Sequence, residues 1–260
     1  MPTISSADGT AIAYESVGDG PPLVLVDGAM CYRAAGPMAS LAARLSGHFT
    51  VHTYDRRGRG ESSDTAPYAV AREVEDLQAV IGQTGGPAFV HGLSSGAALV
   101  LATAAVEPRI VKTSFYEPPF MGEAEDPQRG QEYRDGLVEL LSAGRRGDAV
   151  AWFMAYVGVP EPVVAGMRGG PGWPGLEAIA PTLAYDAAVM GDGRVPLDRA
   201  AQITVPSLVL AGSASPPGLR RAAEALGKAL PTAEFRVLDG QTHDVDPDVL
   251  APVLIDFFGV

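Results

Sequence analysis

Short, uninterrupted apolar runs recur along this chain, separated by stretches long enough for helices, and this alternation constrains the fold more than any other feature. Leu23-Val24-Leu25-Val26 stands between Pro21-Pro22 and Asp27-Gly28, the pattern of a strand covered on both faces in a parallel sheet. Similar runs occupy Thr50 to Tyr54, Ala88 to Val90, Ile110 to Tyr116, Ser207 to Leu210 and Glu234 to Leu238. Between them, Val74, Leu77 and Ile81 share one face of a helix whose other positions include Arg72, Glu73, Glu75 and Asp76. Ala97 to Val106 is an almost wholly apolar helix, and Leu219 to Leu230 and Val249 to Phe258 are amphipathic. Strands joined by helices cross over to pair in parallel, so the fold class is α/β with a mostly parallel central sheet flanked by helices. Only the start differs: Asp8-Gly9 between Ile4 and Ala11-Ile12-Ala13-Tyr14 reads as a β-hairpin.

The rhythm stops between Pro118 and about Pro206, where no buried strand is evident and helical patches surround Leu137 to Leu141 and Val150 to Tyr156. This predicts a core of residues 1–117 and 207–260 with an inserted helical cap over 118–206. Both tryptophans, Trp152 and Trp173, fall in that cap, with Phe153, Met154, Tyr156, Met167 and Met190. An apolar underside of this kind suits a hydrophobic small-molecule substrate; fastening the cap to the core is an equally good use for any one of these residues.

Hydrophobic residues make up 47% of the 260 and charged residues 19%, enough apolar surface for one large core. The net charge of -12 repels phosphate backbones and anionic lipid, which argues against nucleic acid as a partner. Arg56-Arg57-Gly58-Arg59 is followed by Glu61 and Asp64, and reads as a local turn rather than a basic patch. The lone cysteine, Cys31, rules out an internal disulfide and a Cys-rich zinc site, and suits a reducing cytoplasm. The first residues lack a basic stretch followed by an apolar one, and no run reaches the roughly 18 apolar residues of a membrane span.

The strongest chemical signal is His91-Gly92-Leu93-Ser94-Ser95-Gly96, a G-x-S-x-G pattern between a strand and a helix. A nucleophile on so sharp a turn needs small neighbours two residues away on either side, which Gly92 and Gly96 supply. Ser94 is then the candidate nucleophile, with helix N–H groups converging beside it. A structural turn is the alternative.

With these residues the chain resembles the α/β-hydrolase superfamily over essentially its whole length apart from the cap. Tyr54-Asp55-Arg56-Arg57-Gly58-Arg59-Gly60-Glu61-Ser62 is similar to that family's D-x-R-G-x-G-x-S loop, and Val26-Asp27-Gly28-Ala29 stands where the family has apolar residues followed by His-Gly-x. The resemblance implies an oxyanion hole from the backbone N–H groups of Ala29 and Ser95. It also implies that His243, in Gly240-Gln241-Thr242-His243-Asp244, is the base; His52, within a strand, and His91, before the sharp turn, read as structural histidines, and His48 as a loop residue. The usual place for the triad acid, a few residues beyond Leu208-Val209-Leu210-Ala211-Gly212, holds Ser215, which cannot carry negative charge. Glu117, at the end of the preceding strand, is the candidate acid; Asp239, Asp244 and Asp246 are minor alternatives, and a bare Ser-His dyad is another.

Asp27 is a second departure, because a carboxylate beside the oxyanion hole opposes the developing charge unless it points away or meets a donor such as Arg56 or Arg57. Met30, Trp152, Phe153 and Tyr156 are the candidate substrate contacts. No cofactor or metal is implied, since no two histidines stand at ligand spacing. The expected activity is hydrolysis of a carboxylic ester, thioester or lactone through an acyl-enzyme. A non-hydrolytic lyase or cyclase of the same fold and a catalytically silent ligand receptor are the alternatives.

Overall fold

The computed structural model describes residues 2–120 and 127–259. An eight-stranded sheet runs in the order β1-β2-β4-β3-β5-β6-β7-β8. Its strands are β1 (Thr3–Ser5), β2 (Ala11–Val17), β3 (Pro22–Val26), β4 (Thr50–Tyr54), β5 (Ala88–Leu93), β6 (Ile110–Tyr116), β7 (Ser207–Gly212) and β8 (Ala233–Leu238). The hairpin β1–β2 and the β2–β4 pair are antiparallel, and every pairing from β4 to β8 is parallel. The helices of the core are α1 (Met38–Leu45), α2 (Val70–Gln83), α3 (Ser95–Ala104), α10 (Pro217–Ala229) and α11 (Pro247–Phe258). Between β6 and β7 come α4 (Pro127–Ser142), α5 (Arg146–Tyr156), α6 (Glu161–Arg168), α7 (Trp173–Ile179), α8 (Leu183–Met190) and α9 (Leu197–Ala200).

The apolar runs are uninterrupted because both faces are covered. Val24 and Val26 join Leu77, Ile81, Leu99 and Leu226 on the side of α2, α3 and α10. Leu23 and Leu25 point the other way, into Leu41, Leu45, Leu250 and Leu254 of α1 and α11. Full burial of side chains of this size contributes about 1.5–3 kcal/mol each, so two such layers dominate the stability of the sheet.

Two expectations need correction. β8 is not buried on both faces: it pairs only with β7, its residues are mostly part-exposed, and Val237 is 49% exposed. An edge strand has a neighbour on one side only, and Ala-Glu-Phe-Arg-Val-Leu alternates accordingly. On α2, Glu73 and Asp76 are not solvated but 1% exposed, drawn inward by buried arginines described below.

Strand order reverses around β3: the chain steps from β3 to β4 on one side, then to β5 on the other. Such a switch point opens a crevice beyond the carboxyl ends of β3 and β5, where open α/β sheets bind ligands. Asp27 and Ser94 follow those two strand ends directly. Among the described residues no helix is long and apolar enough to cross a membrane.

Candidate active site

β5 turns into α3 through Ser94, whose φ of 57° and ψ of −128° lie outside the regions an L-residue prefers. The turn survives because the residues two places away on either side, Gly92 and Gly96, lack side chains. A Cβ on Gly96 would lie 2.4 Å from the Val26 carbonyl oxygen and 2.5 Å from that of Asp27, inside van der Waals contact with fixed backbone. The Ser94 N–H donates to the Tyr116 carbonyl at 2.9 Å, tying the turn to the end of β6. Ser95 is the first residue of α3, so its N–H has no acceptor within the helix.

Leu93 pairs with Tyr116 across β5 and β6, which makes Ser94 and Glu117 neighbours at the carboxyl edge. Glu117 adopts φ of 44° and is fully buried. Its N–H donates to the Leu210 carbonyl at 3.0 Å, and its Oε1 accepts from Gly212 N at 2.8 Å. Oε2 meets His243 Nδ1 at 2.7 Å. The histidine loop is held in turn by the Tyr116 hydroxyl, which donates to the Thr242 carbonyl at 2.5 Å. With Nδ1 on the glutamate, Nε2 is the nitrogen left to exchange a proton elsewhere. The aspartates near His243 are engaged differently: Asp239 with Ser213, and Asp246 as the N-cap of α11. Ser215 Oγ is buried with no hydrogen-bond partner among the described residues.

On the other side of Ser94 lies Gly28, where a Cβ would come within 3.0 Å of the serine Cβ. The Gly28 carbonyl accepts Arg59 Nη1 at 2.7 Å. Arg56, Arg57 and Arg59 are each at most 1% exposed, so the run is an internal charge cluster and not a surface. Arg56 grips Glu73 with two bonds of 2.7 and 2.9 Å, and Arg57 grips Asp76 with two of 2.7 and 2.8 Å. Arg56 and Arg59 also converge on Asp186 of α8, which accepts Ser95 Oγ at 2.7 Å. Burial works against an ionised Asp186, but the two guanidinium groups and the serine hydroxyl hold its carboxyl below the usual range. No sequence pattern marks α8 or shows that this acid reaches the turn at Ser94; its only trace is a lone carboxylate in the otherwise uncharged helix LAYDAAVM.

A sequence model described as the alpha/beta hydrolase family matches residues 23–253. The chain belongs to that family. It is 51% identical to an alpha/beta hydrolase from Sphaerobacter thermophilus DSM 20745, over 99% of this chain and 100% of that one, with a TM-score of 0.89. An enol-lactonase from Burkholderia xenovorans LB400 is 24% identical over 100% of both chains, with a TM-score of 0.68. A thermophilic esterase from Thermogutta terrifontis is 20% identical over 99% and 97%, with a TM-score of 0.72. The last two likenesses show the fold alone.

Asp27 distinguishes this alpha/beta hydrolase site electrically. Neither arginine that the sequence offers as a partner engages its carboxyl: Arg56 reaches only the Asp27 carbonyl, at 3.3 Å, and Arg57 bonds to Asp76, Asp8 and the Arg72 carbonyl. The side chain instead lies under Gly36 and Cys31, with Oδ1 unpartnered among the described residues. Burial pushes this carboxyl up to about 7, against the pull of Arg59 and Arg56. The same burial, with Asp27 nearby, pushes the Cys31 thiol up to about 12, so it stays protonated.

The remaining histidines are held away from this edge. His91 is fully buried, shares a hydrogen with Ser114 Oγ at 3.2 Å, and is pushed down to about 3 by burial. His52 contacts Ser16 Oγ at 2.8 Å, and His48 is exposed in the turn after α1. Met30, next to Ala29, Phe153 and Tyr156 each pack against one buried cluster that includes Leu137 and Leu183. Trp152 faces elsewhere: its Nε1 donates to the Tyr133 carbonyl at 3.1 Å, and the indole lies on Gly136 of α4. Among the described residues no three His, Cys, Asp or Glu converge as metal ligands.

Proposed function

We propose that the protein is a serine hydrolase that cleaves an ester-like bond, in a carboxylic ester, thioester or lactone of a small hydrophobic substrate, through an acyl-enzyme. The observation that carries this is the 2.7 Å contact between His243 Nδ1 and a buried glutamate whose strand end adjoins Ser94. Glu117 orients the imidazole and stabilises its protonated form; its other oxygen is fixed by Gly212 N, so the carboxylate cannot swing away. His243 Nε2 removes the Ser94 proton, Oγ attacks the carbonyl carbon, and the Ala29 and Ser95 N–H groups receive the oxyanion. The histidine then gives its proton to the leaving group. Water, deprotonated by the same histidine, releases the acid and restores the serine. Support for the apolar substrate class comes from Met30, Phe153 and Tyr156. The esterase and enol-lactonase among its structural neighbours keep both open-chain and cyclic esters within range.

Hydrolysis of p-nitrophenyl acetate and butyrate by wild type, Ser94→Ala and Glu117→Gln tests this. Ser94→Ala should lose at least about 10³-fold in kcat, and Glu117→Gln about 10²- to 10⁴-fold, since the amide no longer matches the imidazolium charge. An inactive wild type, or activity indifferent to Ser94, defeats the proposal and leaves a receptor or a lyase.

A further inference from the structure

We infer that Asp186, carried by α8 of the inserted helices, is the positioning residue for both halves of the oxyanion hole; this rests on the serine-hydrolase reading above. Asp186 is 5% exposed and sits between two separate supports of the site. One support is direct: its Oδ1 accepts Ser95 Oγ at 2.7 Å, on the residue whose N–H is one oxyanion donor. The other runs through Arg59, whose Nη2 lies 2.9 Å from both Asp186 oxygens while its Nη1 donates to the Gly28 carbonyl at 2.7 Å.

That carbonyl and the Ala29 N–H belong to one peptide unit. A trans peptide is planar and its C=O and N–H point in opposite directions, so holding the Gly28 oxygen toward Arg59 aims the Ala29 N–H away from it. Asp186 is the one carboxylate bonded to Arg59 among the described residues, whereas Arg56 has Glu73 as well. Arg56 closes the ring: its Nη1 reaches Asp186 at 2.9 Å, Ser95 Oγ at 3.2 Å and the Asp27 carbonyl at 3.3 Å. The loop after β3 and the start of α3 therefore share one buried anion.

Oxyanion holes work because their donors are fixed before charge develops, and displacement by about 1 Å costs on the order of 10²-fold in rate. Asp186 touches neither substrate nor reacting atoms. Its effect is transmitted through Ser95 and Arg59, and it makes the docking of α8 and the assembly of the oxyanion hole one event.

The test uses Asp186→Asn and Ser95→Ala in the full chain, with p-nitrophenyl butyrate turnover and inhibition by an aryl trifluoromethyl ketone, whose serine adduct carries an oxyanion. Ser95→Ala removes one support and leaves every charge in place; kcat and ketone affinity should each fall about tenfold, with KM within about twofold. Asp186→Asn removes the anion and should lower both about a hundredfold. Retained kcat and ketone affinity, or a loss confined to KM, overturns the inference. If Asp186→Asn does not fold, Ser95→Ala decides alone. An active wild type matched by its variants defeats only this inference, whereas an inactive wild type defeats the serine-hydrolase reading with it.

Discussion

Next to the turn from β5 into α3, Asp27 is a buried carboxyl whose Oδ1 has no hydrogen-bond partner among the described residues. Burial pushes it up to about 7 from an ordinary 3.8, outweighing the attraction of Arg59 and Arg56. A raised carboxyl means the folded state binds the proton more tightly than the unfolded one. Its contribution to stability is therefore complete below about 4 and is lost as pH rises toward 7. Asp27→Asn, neutral at every pH, should remove that slope: relative to the variant, the wild type should lose about 2 kcal/mol between pH 5 and pH 8 in urea unfolding. Parallel pH profiles for the two proteins would mean that the carboxyl is ionised throughout. The sharp turn at Ser94 and the place of His243 beyond β8 are legible in the sequence because their signals are local: glycines two residues away, or a position just past a strand. The state of Asp27 is not, because it depends on Gly36 and Cys31 lying over it. Asp186 lies further still from legibility, since only tertiary packing brings it to Ser95.

At the level of single elements, the runs that cross the centre of the sheet are plain in the sequence and the edge and helix faces less so. A run such as Leu208-Val209-Leu210 has one reading, because alternate residues enter two different cores. β8 and α2 misled for a shared reason: hydrophobic patterning reports apolar burial, and neither a missing neighbour strand nor a buried ion pair leaves an apolar mark. The junction of β3 with α3 is a close element contact at the site, and it hangs on Gly96. Gly96→Ala should destabilise the fold by about 2 kcal/mol or more, because the atoms in the way are backbone carbonyls that cannot turn aside. Thermal unfolding checks this. A melting temperature within about 2 °C of wild type would mean that α3 can shift along β3.

Over the whole molecule, the helices between β6 and β7 pack on those of the core: α8 lies on α2 and α3, and α9 on α3 and α10. Both tryptophans lie in the inserted segment, so indole fluorescence reports its unfolding while circular dichroism reports the helices of the whole chain. With Asp186 bonded to Ser95, Arg56 and Arg59, the two signals should melt together in the wild type. In Asp186→Asn the fluorescence transition should come several degrees earlier; coincident transitions in both proteins would show that apolar contacts alone couple the layers. The position of Glu117 at the end of β6, ahead of β8, bears on the chain during its synthesis. Ser94 and its neighbouring carboxylate belong to one β-α-β unit that is made before β8, whereas His243 follows β8. On the proposed mechanism a nascent chain, or one cut short by a protease after β7, carries a serine with no base to activate it. The reactive form exists only once the chain has been made past β8.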